Sequence, residues 1–204
     1  MIGRSAALVF AGVIAGCVST GRDVGPSAVY DFGLPVARLV ADQPWMTPLA
    51  LEVRSPAWFD SLNVDYRLAY DDPLKQREYA GSRWAGPPGV LLAQRLRQQL
   101  GAVATGGMPT ADCLIRIDLQ EFSQIFDAPG RSRAVVQTNV SLVDTRRALL
   151  AQRSMAVERP SPSPDANGGV RALVEASDEL GRQIAQWLSE LHQGGKLAKC
   201  RMPG

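Results

Sequence analysis

Residues 113–158 read CLIRIDLQEFSQIFDAPGRSRAVVQTNVSLVDTRRALLAQRSMAVE, and their pattern decides the fold. Cys113, Ile115, Ile117 and Leu119 alternate with Arg116, Asp118 and Gln120. Ala134, Val136, Thr138, Val140 and Leu142 alternate with Gln137, Asn139 and Ser141, and Ala151, Arg153, Met155 and Val157 with Gln152, Ser154 and Glu158. Successive strand side chains point to opposite faces, so each run predicts a half-buried strand. Pro129-Gly130 and the Asp144–Arg147 segment supply turns. Together they predict an antiparallel meander.

On the C-terminal side, RPSPSPDANGG (159–169) reads as a polar loop. A helix is predicted from Val170 to His192, where Val170, Leu173, Ser177, Leu180, Ile184, Trp187 and Leu191 recur at alternating spacings of three and four. Gly194-Gly195 end it. On the N-terminal side, Pro87-Pro88 open a second helix with Leu92, Leu96 and Leu100 on one face, and Gly101 closes it. Short strands are predicted at Val29–Gly33, Pro48–Arg54 and Val64–Tyr70, with a helical turn at Ala57–Ser61. Asp71-Asp72-Pro73 turns the chain towards a return strand at Gln76–Ala80. The economical architecture is α+β: a mainly antiparallel sheet with two main helices packed on one face, a single domain over residues 29–204 including a C-terminal tail.

Composition narrows the function. The 204 residues carry 22 Lys+Arg against 20 Asp+Glu, a net charge of +2, with no basic concentration of the kind that nucleic-acid binding needs. A single histidine, His192, excludes centres that need two imidazoles, and a zinc site would have to be assembled from one His and three Cys. His192 stands at a predicted helix end, where an imidazolium suits the dipole. Asp60/Asp65 and Asp71/Asp72 read as solvated strand and turn acids. Gly106-Gly107 and Gly168-Gly169 lack the spacing of a phosphate loop. No enzyme activity, metal or cofactor is expected.

The N-terminus supplies an address. Arg4, an apolar run from Ala6 to Ile14, and Ala15-Gly16-Cys17 resemble a signal peptide ending in a bacterial lipobox; the run is too short to span a bilayer. The expectation is a signal peptide over 1–16, lipidation at Cys17, a flexible tether over 17–28, and a membrane held through acyl chains at about 0.8 kcal/mol per buried methylene. Val18 and Ser19 follow the cysteine, and the absence of Asp there resembles outer-membrane sorting, facing the periplasm. In that oxidising compartment Cys113 and Cys200 suggest one disulfide pinning the tail to the sheet; free thiols or an intermolecular link are the alternatives.

Residues 58–84 hold Trp58, Phe59, Tyr66, Tyr70, Tyr79 and Trp84, interleaved with Arg67, Arg77 and Arg83. Trp, Tyr and Arg dominate interface hot spots, so Trp58, Tyr66, Tyr70, Arg83 and Trp84 are candidate partner contacts. The alternative is that the aromatics fill the core.

The same block carries a family resemblance. Tyr30-Asp31-Phe32-Gly33, Tyr66-Arg67-Leu68 with Tyr70, Asp72-Pro73, Ser82–Ala85, Pro87-Pro88 and Arg95–Leu100, together with the lipobox, resemble the auxiliary lipoproteins of ABC-type lipid transporters, which include the paraquat-inducible Pqi-type lipoprotein. The resemblance spans essentially the whole mature chain. It implies an auxiliary subunit working with an ATPase, a permease and an Mce-domain periplasmic protein to move phospholipids or other hydrophobic molecules between membranes. It carries no catalytic residues, and a homo-oligomer is compatible with it. The alternative function is a structural lipoprotein that assists an outer-membrane assembly without lipid transport.

Overall fold

The computed structural model describes residues 27–34, 37–40, 49–105, 112–144 and 146–200; the expected signal peptide, Cys17 and nearly all of the expected tether lie outside the described residues. Eight strands form one sheet: β1 (Ala28–Tyr30), β2 (Leu49–Arg54), β3 (Asn63–Leu68), β4 (Asp72–Trp84), β5 (Val103–Ala104), β6 (Cys113–Ala128), β7 (Arg131–Asp144) and β8 (Leu149–Pro160). Two helices, α1 (Pro88–Leu100) and α2 (Ala166–Gln193), cover one face.

β6 is the spine. Along one side it pairs antiparallel with β7 from Cys113↔Asp144 to Ala128↔Arg131, and β7 pairs antiparallel with β8, giving the expected meander. Along its other side, its first half pairs with β2 and its last part with β3, and both pairings are parallel. β1 joins β4, and β5 joins β2, also in parallel. The sheet is therefore mixed: the long β6–β7–β8 meander and the β3–β4 hairpin keep it mainly antiparallel, as expected, and the shorter parallel pairings were not anticipated. The physical reason is the crossover: the chain leaves the β3–β4 hairpin through α1 and re-enters as β6, and a helix that returns the chain across a sheet face makes parallel neighbours. Alternation reports which face a residue takes, not the direction of its partner.

That face forms the core. Leu51, Ile115, Ile117, Val136, Val140 and Leu142 from the sheet meet Leu92, Leu96 and Leu100 of α1 and Leu173, Leu180 and Ile184 of α2, all fully buried. β6 runs past the alternation read from sequence because the pairing shifts between Leu119 and Glu121. One extra residue there restores Phe122, Gln124 and Phe126 to the covered face, where they are buried. α2 starts at Ala166, ahead of the predicted Val170, because Asp165 caps it: its carboxylate accepts from the Gly168 amide at 2.8 Å. That bond holds the carboxyl below the usual carboxylate range. Gly169 fits inside the first turn because a Cβ there would overlap the Gln124 side chain.

Two cross-links tie the layers. Arg95 of α1, 6% exposed, makes a two-pronged pair with Asp178 of α2 at 2.7 and 2.9 Å and donates to the Leu34 carbonyl at 2.8 Å. Cys113 and Cys200 are disulfide-bonded, with Cα atoms 5.2 Å apart and a sequence separation of 87. The bridge fastens a 3-10 turn (Lys196–Cys200) whose Leu197 is buried against the core.

Candidate functional site

The connection from β2 to β3 runs through a 3-10 turn, Ala57–Phe59, entered from Pro56. Phe59 points inward and is 2% exposed, which turns its neighbour Trp58 outward, 67% exposed. On either side of Trp58 in the chain, Ser55 and Asp60 line a cleft of about 270 Å³ shared with Pro87, Gly89, Val90 and Ala93 at the start of α1. Gly89 permits this approach of helix to strand, since a Cβ would overlap Ser55. Val90 is 57% exposed. Glu52 and Arg97 give the cleft a charge of each sign. An exposed tryptophan in the same turn that carries Ser55 and Asp60 into a partly apolar cleft suits docking of a protein segment, although the ring itself does not line the cleft.

The aromatic block divides by environment. Trp84, read as a candidate partner contact, is 1% exposed and belongs to the core, which corrects that reading. It packs edge-on against Phe32 at 5.6 Å and against Phe122 at 5.8 Å. The cause is position: Trp84 ends β4 opposite Tyr30 of β1, on the helix-covered face. Tyr66 is half-buried, 4.5 Å from Tyr79 and edge-on to Phe126 at 5.8 Å. The Tyr79 hydroxyl donates to Gln124 Oε1 at 2.8 Å. Burial, with Tyr66 alongside, pushes the Tyr79 phenol above its ordinary range.

Tyr70 is 46% exposed in the turn between β3 and β4, while Arg83 is exposed at the base of that hairpin, opposite Asn63. The structure does not bring Trp58, Tyr70 and Arg83 into one patch. β3 lies between Trp58 and Tyr70, and its six residues span ~20 Å. The cleft beside Trp58 was not legible in the sequence. The signal for it was Gly89 directly after Pro87-Pro88, a glycine in a first helical turn where a close approach is needed.

On the uncovered face, Asp65 is 7% exposed beside Glu78 and Glu121, and its carboxyl is pushed up to about 6, chiefly by burial. Gln76 donates to it at 2.7 Å. Arg67 pairs with Glu121 at 3.3 Å. Asp71 is bound to Arg77 at 2.9 Å, and Asp72 accepts from the Leu74 amide at 3.0 Å, so both turn acids have structural partners. His192 lies in the last turn of α2. Among the described residues no group of three or more His, Cys, Asp or Glu could hold a metal, and no helix is long and apolar enough to cross a membrane.

Comparison with known proteins agrees with this architecture. A Xanthomonas campestris protein solved by crystallography, of family DUF330, is 21% identical with a TM-score of 0.67, covering 82% of this chain and 98% of that one. A second crystal structure, of an uncharacterised protein, is 16% identical with a TM-score of 0.62, covering 80% of this chain and 99% of that one. At these identities the likeness shows the fold alone. No curated protein matches. Residues 36–185, ending within α2, match the family described as the ABC-type transport auxiliary lipoprotein component, and the chain belongs to that family.

Proposed function

We propose that the protein is a non-enzymatic, lipid-anchored docking subunit of an ABC transport system that works with an Mce-domain periplasmic protein. It moves phospholipids or other hydrophobic molecules between the inner and outer membranes. Acyl chains on Cys17 hold it on the periplasmic face of the outer membrane, and the folded domain receives the transport machinery through Trp58 and the cleft at the start of α1. The observation that carries this reading is membership of the auxiliary lipoprotein family, joined to a surface tryptophan that the core does not use. The turn acids support this reading, since Asp71 is held by Arg77 and Asp72 by the Leu74 amide.

The test is assembly. Full-length lipidated protein purified from membranes brings down an Mce-domain protein with its permease and ATPase, and Trp58→Ala weakens that association by about 2 kcal/mol or more while the domain stays folded. A complex that assembles completely and transports lipid without this subunit overturns the proposal.

A further inference from the structure

We propose that the tip of the β3–β4 hairpin, at Tyr70, Pro73 and Leu74, rests in the interfacial layer of the membrane that holds the lipid on Cys17. The domain is then held to the lipid surface at two points. The proposal rests on the lipid-anchor reading above.

Leu74 is 89% exposed and Tyr70 46% exposed, two apolar side chains at one turn that contribute nothing to the core. Tyrosine and leucine at a loop tip suit the boundary between headgroups and acyl chains, where an aromatic ring keeps its hydroxyl wet.

The direction of β1 says which surface they meet. β1 pairs in parallel with the end of β4, Ala28 opposite Ser82 and Tyr30 opposite Trp84. β4 runs away from the tip, so β1 does too, and the chain arrives at Ala28 from the tip side. Residues 18–27 separate Cys17 from β1, and ten residues reach at most ~35 Å. From Ser82 back to Leu74 is eight residues of strand, ~26 Å. The anchor can therefore sit level with the tip.

Charge does not oppose the contact. Residues 70–77 hold two acids, Asp71 and Asp72, and two bases, Lys75 and Arg77. Asp71 is neutralised by Arg77 at 2.9 Å, and Asp72 is turned back onto the Leu74 amide. The Ala69 amide donates to the Phe126 carbonyl at 2.9 Å, which brings the β6–β7 turn and exposed Arg131 to the same end. A cation there is attracted to anionic headgroups.

The experiment uses the full-length lipidated protein in vesicles of phosphatidylethanolamine and phosphatidylglycerol, carrying an environment-sensitive fluorophore on a Leu74→Cys variant. The control fluorophore is on Leu149→Cys, exposed at the start of β8 at the opposite end of the sheet. The expected result is a blue-shifted emission at 74, quenched by lipids spin-labelled near the headgroup, with no change at 149. A fluorophore on Lys75→Cys loses its quenching when Tyr70 and Leu74 are both replaced by Ser. If the protein floats with the vesicles but the fluorophore at 74 is unquenched, the tip contact is wrong and the anchor stands. If it does not float, both are wrong. A fluorophore at 74 shielded only when the transport complex is added assigns the tip to a protein partner and also overturns the proposal.

Discussion

The two sides of β6 differ in how fully they are covered. On one side, β7 and β8 extend the meander beneath α2, and their inward residues Val136, Val140, Leu142 and Val157 are buried. On the other, α1 covers β2, while the β3–β4 hairpin continues outward with Leu74, Lys75, Gln76 and Glu78 all exposed. One spine thus supports a region whose inward residues are covered and a region that leaves Trp58, Tyr70 and Leu74 exposed, the region proposed above to supply contact. Tyr70 and Trp58 fall on the second side and Trp187 on the first, where it is 2% exposed in α2. The same residue type is exposed on one side and buried on the other, so substitutions should separate stability from the proposed binding.

The largest expected effect is at the seam between the two regions. Trp84→Ala removes a ring packed against Phe32 and Phe122, and should cost about 3 to 5 kcal/mol in denaturant unfolding. Because the indole nitrogen has no hydrogen-bond partner among the described residues, Trp84→Phe should retain much of that stability. A Trp84→Ala protein of unchanged stability would place the seam elsewhere. Opening the Cys113–Cys200 bridge in a Cys113→Ala/Cys200→Ala variant should cost about 2 to 5 kcal/mol, as expected for freeing a long loop. The loss should appear equally in wild-type protein unfolded under reducing conditions.

Next comes the pair joining the helices. Asp178→Ala leaves the Arg95 guanidinium buried without its carboxylate, and should destabilise by about 2 to 3 kcal/mol. Replacing both residues with apolar ones of similar volume should recover part of that loss, which a double-mutant cycle measures.

Asp65 tests the hairpin side. Folding raises its carboxyl from 3.8 to about 6. Between those values the folded state holds a proton that the unfolded chain has released. Stability from this group is therefore greatest below about pH 4, falls as pH rises to about 6 and is level above, a drop of up to roughly 3 kcal/mol. Glu78 and Glu121 add to the shift and Arg67 opposes it. Asp65→Asn should flatten unfolding stability across that window. An unchanged slope would mean that Asp65 is solvated.

The same division explains what the sequence disclosed. The meander and α2 were legible because one face of each is buried and the other is not, so Ile115, Val140 and Leu180 fall on strict periods. The mixed sheet was not, because Tyr66 alternates identically whether its neighbour on β6 runs parallel or antiparallel to it. The start of α2 was hidden by Gly168 and Gly169, which read as loop but are required by close packing on Ser163 and Gln124. In the aromatic block, spacing could not separate Trp58 from Trp84. Exposure depends on which strand end each residue meets, a property of the assembled sheet. Family membership was legible for a different reason: it rests on local motifs such as Ser82–Ala85 and Pro87-Pro88, which survive without any knowledge of pairing.

The smallest expected effect on stability is the most informative for function. Trp58 is 67% exposed, and its ring lies 6.4 Å from that of Phe59, which carries the inward packing of this turn. Trp58→Ala should change unfolding stability by less than about 0.5 kcal/mol, as is usual for an exposed position. Phe59→Ala, one residue away, should cost about 3 kcal/mol or more by leaving a cavity. If Trp58→Ala also leaves association with the transport machinery unchanged, the cleft beside α1 is not the docking surface. If it weakens association while Phe59→Ala acts only through stability, two adjacent aromatics in one short turn will have been assigned to opposite sides of the division: one holds the fold and the other holds the partner.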